Sequence, residues 1–295
     1  MSGERTWGLI PGYGEMKKRN RRGTPLWIVR LIENTFSLRF VLARLTHLPL
    51  IGRLLDHFLF REDEIIYIAD NRSVKLNIDI DLDAAHENIV LPSDIVDHFI
   101  RAASHHWIMN FCICRRSAHC QDYPVELGCL FLGEAVQGIN PELGRLVSKE
   151  EALNHARMCR DAGLVHLIGR NRLDSVWLNV RPGHRLLTIC NCCPCCCLWR
   201  MLPDLSRRIS DNVHRMPGVV VRVNEQCNGC GACAESICFV NAIQMQDGRA
   251  FISDDCRGCG RCVNVCPNHA IEIVFDEKVD VITESIHRIN TLVEL

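Results

Sequence analysis

The chain has 295 residues, and its 47% hydrophobic content is enough to bury one or two cores. Its 34 basic and 35 acidic side chains nearly cancel, so the overall charge gives no reason to expect nucleic acid as a partner. The 19 cysteines are the unusual feature. Their odd number, their close pairs and the lack of a secretory signal peptide argue against a disulfide framework. They predict metal ligands in a reducing, cytoplasmic compartment.

The first 60 residues are basic and partly apolar. Residues 1–24 are rich in glycine, arginine and lysine, and we expect a poorly ordered arm there. Between Pro25 and Phe60 the apolar pattern predicts two amphipathic helices, with Pro49 ending the first. No run of 18 uncharged apolar residues occurs, so a membrane-spanning helix is not expected.

This first segment has the composition of a docking surface. Residues 1–60 contain ten basic and four acidic residues, a formal charge of about +6. Amphipathic helices with that charge could bind a partner subunit or lie on an anionic membrane face. The alternative is ordinary packing against the protein's own core, which is the commoner use of an apolar helix stripe.

The region after this segment alternates between strand and helix signals. Ile65–Ala69 and the alternating apolar residues of 74–80 predict two strands, joined as a hairpin about Asp70–Arg72. A helix is expected from Ser93 to about Trp107. Together these patterns predict an α+β arrangement.

A second helix is marked by its own sequence signals. Ser148 followed by Glu151 is a capping box, and Gly163 suits the end of the helix. Apolar runs after it predict three strands, over Leu164–Ile168, Val176–Val180 and Leu186–Ile189. A plain α+β packing unit is favoured here, although a winged-helix domain would show a similar pattern.

Two cysteine runs lie near the carboxyl end. The first is Cys227-Asn-Gly-Cys230-Gly-Ala-Cys233-Ala-Glu-Ser-Ile-Cys238, and the second is Cys256-Arg-Gly-Cys259-Gly-Arg-Cys262-Val-Asn-Val-Cys266-Pro267. Two-residue spacers let a tight loop aim successive thiolates at different irons of one cubane. The glycines relieve crowding and leave backbone amides free to bond to sulfur. A pair of structural zinc sites is the alternative, but these repeated triads are uncommon in zinc sites.

Residues 219–275 resemble the two-cluster bacterial ferredoxins, and the second run follows their pattern without a departure. The first run departs at Cys238, which lies one residue further along and precedes Phe239 rather than proline. The resemblance implies two [4Fe–4S] clusters whose ligand sets exchange their fourth cysteine. The implied sets are Cys227, Cys230, Cys233 and Cys266 for one cluster, and Cys256, Cys259, Cys262 and Cys238 for the other.

The other 11 cysteines lie between residues 112 and 197. Cys159 falls within a predicted helix and is expected to be a core residue. The remaining ten are candidate metal ligands: Cys112, Cys114, Cys120, Cys129, Cys190, Cys192, Cys193, Cys195, Cys196 and Cys197. One cubane could not take all six cysteines of 190–197, but a non-cubane cluster or two neighbouring clusters could. A zinc site or buried thiols are the alternatives.

This middle region resembles the cysteine-rich segments that precede ferredoxin modules in unassigned multi-cluster iron–sulfur proteins of anaerobes, over about residues 105–200. That resemblance implies at least one further iron–sulfur cluster. Nearby arginines at 115, 116 and 185 could offset its charge, or could be solvated surface residues. The histidines at 105, 106, 119 and 155 are not included among the ligands, because a lone histidine is more often a surface or hydrogen-bonded residue.

The resulting architecture is α+β, with a helical arm (1–60), a cysteine-rich α/β domain (61–215) and a two-cubane ferredoxin-like module with its tail (216–295). Neither a dinucleotide-binding nor an ATP-binding glycine motif occurs. The leading hypothesis is an electron-transfer protein, or the electron-transfer subunit of an anaerobic redox complex with redox protein partners. The alternative is a reductase whose 112–197 cluster acts on a small disulfide-like substrate. A winged-helix redox regulator is the least favoured, since no basic recognition helix is evident.

Overall fold

The computed structural model describes residues 23–74 and 91–295. Within them the α-helices are α1 (Leu26–Thr35), α2 (Arg39–Leu45), α3 (Pro49–Leu55), α4 (Ser93–Ala102), α5 (Ile113–Ser117), α6 (Lys149–Asp161), α7 (Arg172–Trp177), α8 (Arg207–Ser210), α9 (Arg261–Val265) and α10 (Val281–Asn290). The strands are β1 (Glu64–Tyr67), β2 (His106–Met109), β3 (Leu130–Leu132), β4 (Gly144–Val147), β5 (Val165–Arg170), β6 (Leu187–Cys192), β7 (Val213–Arg215), β8 (Val219–Val223), β9 (Ile243–Gln246), β10 (Arg249–Ile252) and β11 (Ile271–Phe275). The predicted α+β class is confirmed.

A seven-stranded sheet organises the chain, in the order β4-β2-β3-β6-β5-β1-β7. Neighbouring strands are antiparallel except for β1 and β7, which are parallel. Two smaller antiparallel pairs, β8 with β11 and β9 with β10, belong to the carboxyl-terminal part. The large sheet therefore has β6, the strand that leads into the cysteine block, at its centre.

One face of this sheet builds the main apolar core. Ile66, Ile168 and Ile189 lie in register across β1, β5 and β6, and all are buried. Helices α4, α6 and α10 contribute to the same buried cluster, as do β8 and β11. Because side chains alternate along a strand, the residues next to these isoleucines must point to the opposite face.

The opposite face carries sulfur. Tyr67 pairs with Leu167, and Leu167 pairs with Cys190, so the three lie side by side across the same strands. Residues of α1 and α2 pack over this face, with Val29 and Ala43 almost fully buried. The amino-terminal helices therefore cover the cysteine-bearing side of the sheet.

Helix α6 begins and ends where its sequence signals place it. The Ser148 side chain accepts a hydrogen bond from the Glu151 amide, and the Glu151 carboxylate accepts one from the Ser148 amide. The helix ends at Asp161, just before Gly163 with φ +75°. Both the predicted capping box and the predicted end of this helix are confirmed.

One predicted strand is wrong, and another lies outside the described residues. Strand β1 pairs with β5 on one edge and with β7 on the other. Residues 75–80, which form the second strand of the predicted hairpin, lie outside the described part of the chain. The segment predicted as a strand at Val176–Val180 is instead the end of helix α7 and the turn after it.

Two helix limits also differ from expectation. The helix from Ser93 ends at Ala102 rather than near Trp107, because the backbone turns extended at Ala103 and Trp107 joins β2. Between Pro25 and Phe60 there are three α-helices rather than two, and Pro49 begins α3. Proline suits the first turn of a helix because its missing amide would have no helical partner there.

The outer surface of α1 to α3 is apolar. Its exposed large side chains are Leu26, Trp27, Leu31, Leu38, Val41, Leu42, Leu48, Leu50, Ile51, Leu54 and Phe58. Every helix in residues 23–74 and 91–295 is too short or too polar to cross a bilayer. The predicted basic arm lies almost wholly outside the described residues.

Candidate metal centres

The eight cysteines of the two carboxyl-terminal runs gather into two groups of four. We call the first the outer quartet: Cys227, Cys230, Cys233 and Cys266 line one small void. We call the second the inner quartet: Cys238, Cys256, Cys259 and Cys262 line another. Each void thus takes three cysteines from one run and the fourth from the other. The structure brings together the same sets that the ferredoxin resemblance implies, while their role as cluster ligands stays a prediction.

The two runs repeat one backbone conformation. Gly229 and Gly258, each just before the second cysteine of its run, have φ of +75° and +65°. A side chain at Gly229 would bring a Cβ within 2.2 Å of the Gly248 carbonyl oxygen. Glycine is therefore required at this turn for both its backbone angle and its close approach.

The fourth cysteine of each run has an equivalent environment. The amide of Ala242 donates to the Cys238 sulfur and that of Ala270 to the Cys266 sulfur, each at 3.3 Å. The extra residue before Cys238 is accommodated near Ser236, which has a left-handed φ of +56°. Cys238 is thus the structural counterpart of Cys266 despite its departure in spacing.

The two quartets differ in exposure. Cys230 of the outer quartet is exposed, whereas burial raises the pKa of Cys259 in the inner quartet to about 12. Hydrogen bonds from the amides of Ala250 and Gly229 lower the pKa of Cys227. The outer quartet therefore reaches solvent at Cys230, whereas no thiol of the inner quartet is exposed.

Buried hydrogen-bond donors surround the inner quartet. Its void is also lined by Tyr67, Arg257 and Arg261. Among the described residues, the Tyr67 hydroxyl and the Nε atoms of both arginines have no hydrogen-bond partner. A buried hydrogen-bond donor without a partner costs free energy. An anionic metal–sulfur group fits this site because the four thiols could bind its metal and the three donors could bond to its sulfur.

The second cysteine field separates into two groups. We call the first the compact quartet: the sulfurs of Cys120, Cys193, Cys195 and Cys196 all lie within 4.8 Å of one another. We call the second the cysteine cavity, a space of about 270 Å³ lined by six further thiols: Cys112, Cys114, Cys129, Cys190, Cys192 and Cys197. Cys193 lines the cavity as well. Cys159 is fully buried in the core beside the compact quartet, as expected of a core residue.

Local structure explains how the cavity thiols meet. Cys190 and Cys192 lie two residues apart on β6 and so point to the same face of the sheet. Cys112 comes directly before α5. Cys197 precedes a 3₁₀ helix, Leu198–Asp204, and its sulfur accepts a hydrogen bond from the Trp199 amide at 3.4 Å.

The cavity thiols are crowded. The sulfurs of Cys192 and Cys197 are 2.9 Å apart. Hydrogen bonds from the thiols of Cys129 and, to a smaller extent, Cys192 lower the pKa of Cys190. The contact between Cys129 and Cys190 raises the pKa of Cys129. Thiolates this close would repel one another unless a metal neutralised them, so a metal–sulfur group fits the donor set.

Arg115 ties the cavity walls together and is fully buried. Its guanidinium donates to the carbonyl oxygen of Asn191 at 2.8 Å and to that of Leu127. Burial alone would lower the pKa of Arg115, but the nearby thiols, Cys112 most strongly, raise it. The Arg115 Nε atom has no partner among the described residues. This arginine therefore supplies positive charge and a free donor beside the thiols.

The other two arginines singled out from the sequence behave differently. Arg116 pairs with Glu33 of α1 and stacks over the Phe111 ring, 3.2 Å from its centroid. Arg185 pairs with Glu134 and Glu294 on the surface. Arg116 therefore fastens α1 over the cavity, and Arg185 agrees with the alternative of a surface charge.

None of the four histidines considered belongs to a cysteine group in the described part of the chain. His155 bonds to the carbonyl oxygen of Gly128 at 2.9 Å, and His106 to that of Ile100 at 2.5 Å. His105 contacts Ser104, as surface histidines commonly do. Leaving them out of the ligand set agrees with these partners.

Sequence reasoning missed Tyr67. Tyr67 is fully buried in β1. Burial is the main cause that raises its pKa, and the neighbouring thiols of Cys197, Cys192 and Cys259 raise it further. Those thiols belong to the cysteine cavity and to the inner quartet, so Tyr67 lies between the two sites. The apolar residues around Tyr67 predict an ordinary buried strand, so no local sequence signal indicated a role for this side chain.

Arg39 was missed for a similar reason. It comes from α2, lines the cavity and stacks on the rings of Phe36 and Phe40. Burial lowers its pKa, and the thiol of Cys114 acts in the opposite direction. Only the fold brings this cation from the amino-terminal segment to the cysteines.

Comparison with known families gives one match. A model of the LdpA Fe–S cluster-binding domain matches residues 234–276, which include Cys238 and the whole second run. No curated protein and no solved structure matches the chain. With the clustered cysteines, this match makes the chain an iron–sulfur protein and supports a role in electron transfer.

The position of Arg115 generates a prediction. Arg115→Met removes two hydrogen bonds to buried carbonyl oxygens and should destabilise the fold by about 3 kcal/mol. If residues 112–197 hold iron, the variant should also bind less of it, because the cavity loses its buried positive charge. Thermal unfolding and iron analysis of anaerobically purified protein measure both effects. Arg185→Met serves as the surface control. Wild-type iron and stability in Arg115→Met would contradict the role given to this residue.

Proposed function

We propose that this protein transfers electrons through iron–sulfur clusters held at three sites. The outer and inner quartets each bind a [4Fe–4S] cluster, as in two-cluster ferredoxins, and the cysteine cavity binds a further cluster. Bound clusters of this kind supply reversible one-electron chemistry. The chain positions them, sets their exposure and provides their hydrogen bonds.

The carboxyl-terminal module supports two cubanes through its ligand exchange. Each quartet supplies four thiols, which is the number of iron corners in a cubane. Three buried donors without partners point to an anionic occupant of the inner quartet. The family match over residues 234–276 agrees with a cluster in this module.

The cysteine cavity supports a cluster of another kind. Seven thiols line it, and the six that do not belong to the compact quartet are still two more than a single cubane can bind. Its space of about 270 Å³ has walls that are almost wholly apolar apart from the thiols, Arg39, Arg115 and a few polar side chains. We therefore propose a larger or non-cubane iron–sulfur cluster at this site.

The proposed relay of electrons among the three sites rests on one observation. Thiols of the inner quartet and of the cavity pack in the same buried cluster, with Tyr67 between them. Cys233 and Cys262 share a second buried cluster that joins the inner and outer quartets. The three sites thus form a continuous series from the exposed Cys230 to the cysteine cavity beneath α1 and α2. Redox protein partners would exchange electrons with the protein near Cys230.

The cavity also supports a second candidate function, a reductase. The wall facing the thiols is apolar and comes from α1, α2 and α7, with Ile32, Phe36, Leu42 and Trp177 among its residues. A small disulfide-like substrate in this space would take up two electrons and two protons and leave as two thiols. The electrons would come from a reduced protein partner, through the two quartets.

The third cluster is tested by substituting Cys192 and Cys197 together with serine. Iron should fall by about four or more atoms per chain, while the reduced-state EPR signals of the two cubanes remain, because the quartets lie in separate segments. Unchanged iron would exclude a cluster in the cavity. Wild-type protein that is reoxidised by a small disulfide, where the double variant is not, would favour the reductase.

The bridging position of Tyr67 is tested with Tyr67→Phe. This change removes only the hydroxyl, so a donor to the inner cluster is lost and its reduction potential should fall by on the order of tens of mV. Redox titration followed by EPR measures the shift. Phe239→Leu is the matched control, because Phe239 packs on Tyr67 with ring centroids 5.6 Å apart and has no donor. Equal shifts in both variants would indicate packing rather than hydrogen bonding.

We further propose that the apolar surface of α1 to α3 docks on an anionic membrane. Trp27 is 66% exposed and Leu50 81%. The excess of basic residues in 1–60 favours an anionic lipid surface. Leu42 is half exposed on this surface and also lines the cysteine cavity, so docking would take place next to that cavity.

Flotation with vesicles tests this docking. Wild-type protein should float with phosphatidylglycerol-containing vesicles, and Leu50→Ser combined with Leu54→Ser should weaken that binding because apolar burial is lost. Met245→Ser with Phe251→Ser is the control, since both residues are exposed apolar side chains on the β9–β10 hairpin. A protein that stays off vesicles but changes oligomeric state in the double variant would indicate a protein contact instead.

A further inference from the structure

Three thiols of the compact quartet line none of the three proposed cluster sites, and its fourth, Cys193, also borders the cysteine cavity. Cys120 follows α5, and Cys193, Cys195 and Cys196 lie in the turn after β6. The sulfur of Cys195 is 3.6 Å from that of Cys120 and 3.5 Å from that of Cys196. Four thiols from two separate segments thus converge on one point.

The spacing of these sulfurs separates two kinds of occupant. One thiophilic ion with bonds of 2.3 Å holds four sulfurs at the corners of a tetrahedron with edges of about 3.8 Å. A cubane binds each thiolate to a different iron, so its cysteine sulfurs stand on the order of 6 Å apart. All four sulfurs here lie within 4.8 Å of one another, which fits the single ion.

The quartets of the ferredoxin-like module provide an internal comparison. Over residues 23–74 and 91–295, no other group of three or more His, Cys, Asp or Glu side chains brings its ligand atoms this close. The outer and inner quartets are therefore more open than the compact quartet, although each also has four thiols. The difference lies in the shape of the sites and not in the number of their ligands.

Backbone amides lie beside two of these sulfurs. The amides of Asp122 and Tyr123 are near the Cys120 sulfur, and the amide of Cys196 is near the Cys193 sulfur. Amides two or three residues further along the chain stabilise a thiolate and fix its direction. Both segments thus form turns suited to a metal-bound cysteine.

Apolar residues pack against the site. Leu164 and Cys159 are buried beside it, and Tyr123 and Leu127 pack on the same cluster, while Cys120 and Cys195 keep partial exposure. With four thiolates around one ion, no coordination position is left for a substrate or for water. The occupant would therefore hold structure rather than take part in catalysis.

The compact quartet also connects two other sites. Arg261, between Cys259 and Cys262 of the inner quartet, donates to the Tyr123 hydroxyl at 2.8 Å and to the Gly163 carbonyl oxygen at 2.6 Å. Cys193 follows directly on Cys192 of the cysteine cavity. An ion here would fix the loop after β6 relative to the ferredoxin-like module.

We propose that Cys120, Cys193, Cys195 and Cys196 bind one divalent thiophilic ion, zinc or ferrous iron, in a closed tetrahedral site. This ion is distinct from the proposed iron–sulfur clusters, although Cys193 also borders the cysteine cavity, and the proposal does not rest on the relay. The ion stabilises the turn that carries the cysteine block, because metal binding at such a site contributes directly to folding.

The test begins with full-length wild-type protein purified anaerobically. If the ion is zinc, elemental analysis should find one zinc per chain, and zinc X-ray absorption should show four sulfur ligands at about 2.3 Å. If the ion is iron, Mössbauer spectra should show one isolated tetrathiolate iron beside the cluster signals. Protein with neither zinc nor isolated iron would overturn the proposal, and this measurement needs no variant.

Variants then assign the site. Cys120→Ser should lose the single ion while the EPR signals of the two cubanes remain. Cys159→Ser is the matched control, since it removes a buried thiol from the same packing cluster without touching the quartet. Loss of about four irons in Cys120→Ser would show a cubane at this site and overturn the single ion. Retention of the ion would also overturn the assignment. A failure of the relay would appear instead in the cavity variants at Cys192 and Cys197.

Discussion

The sulfur sites on the large sheet depend on one constraint, which is the pairing of β6 with β3 on one side and with β5 on the other. It places Cys190 and Cys192 on one face of the sheet, beside Leu167 and then Tyr67. A slip of one residue would turn both cysteines into the apolar core on the other face. The buried isoleucines of that core oppose such a slip, so ordinary hydrophobic packing sets the position of the sulfur sites.

The second constraint is electrostatic. Eighteen of the 19 cysteines gather in four groups, and thiolates buried together need positive charge nearby. The protein supplies part of it through Arg115 in the cavity and through Arg257 and Arg261 at the inner quartet. Metal must supply the rest, so we expect folding and metal binding to be coupled. The same arginines hydrogen-bond to loop carbonyls, which joins charge compensation to the shape of each site.

Among the thiols of the three sites, only Cys230 of the outer quartet is exposed. Its position gives the proposed relay a surface end for protein partners, and α1 and α2 cover the other end. The covering helices are held by Arg116 with Glu33 and by Arg44 with Asp204, contacts at least partly open to solvent. Such pairs contribute little stability in general, so the apolar contacts of Val29 and Ala43 carry most of the attachment.

The amino-acid sequence by itself determined the features that depend on short-range spacing. The two cysteine runs, the capping box at Ser148 and the strands near Ile65, Leu164 and Leu186 could all be predicted, because each depends on neighbouring residues. The ferredoxin resemblance also predicted which thiols would meet in each quartet. Two helix limits and the strand expected at Val176–Val180 could not be predicted correctly, since tertiary packing decided those short apolar segments.

Only the tertiary structure decided how the second cysteine field divides. Cys192 ends strand β6 and Cys193 begins the turn after it. Both border the cavity, but the change in backbone direction brings only Cys193 into the compact quartet. Tyr67 and Arg39 reach the sulfur sites from distant parts of the sequence. Their roles depend on which strands pair and which helices cover the sheet, and these long-range contacts leave no local signal in the sequence.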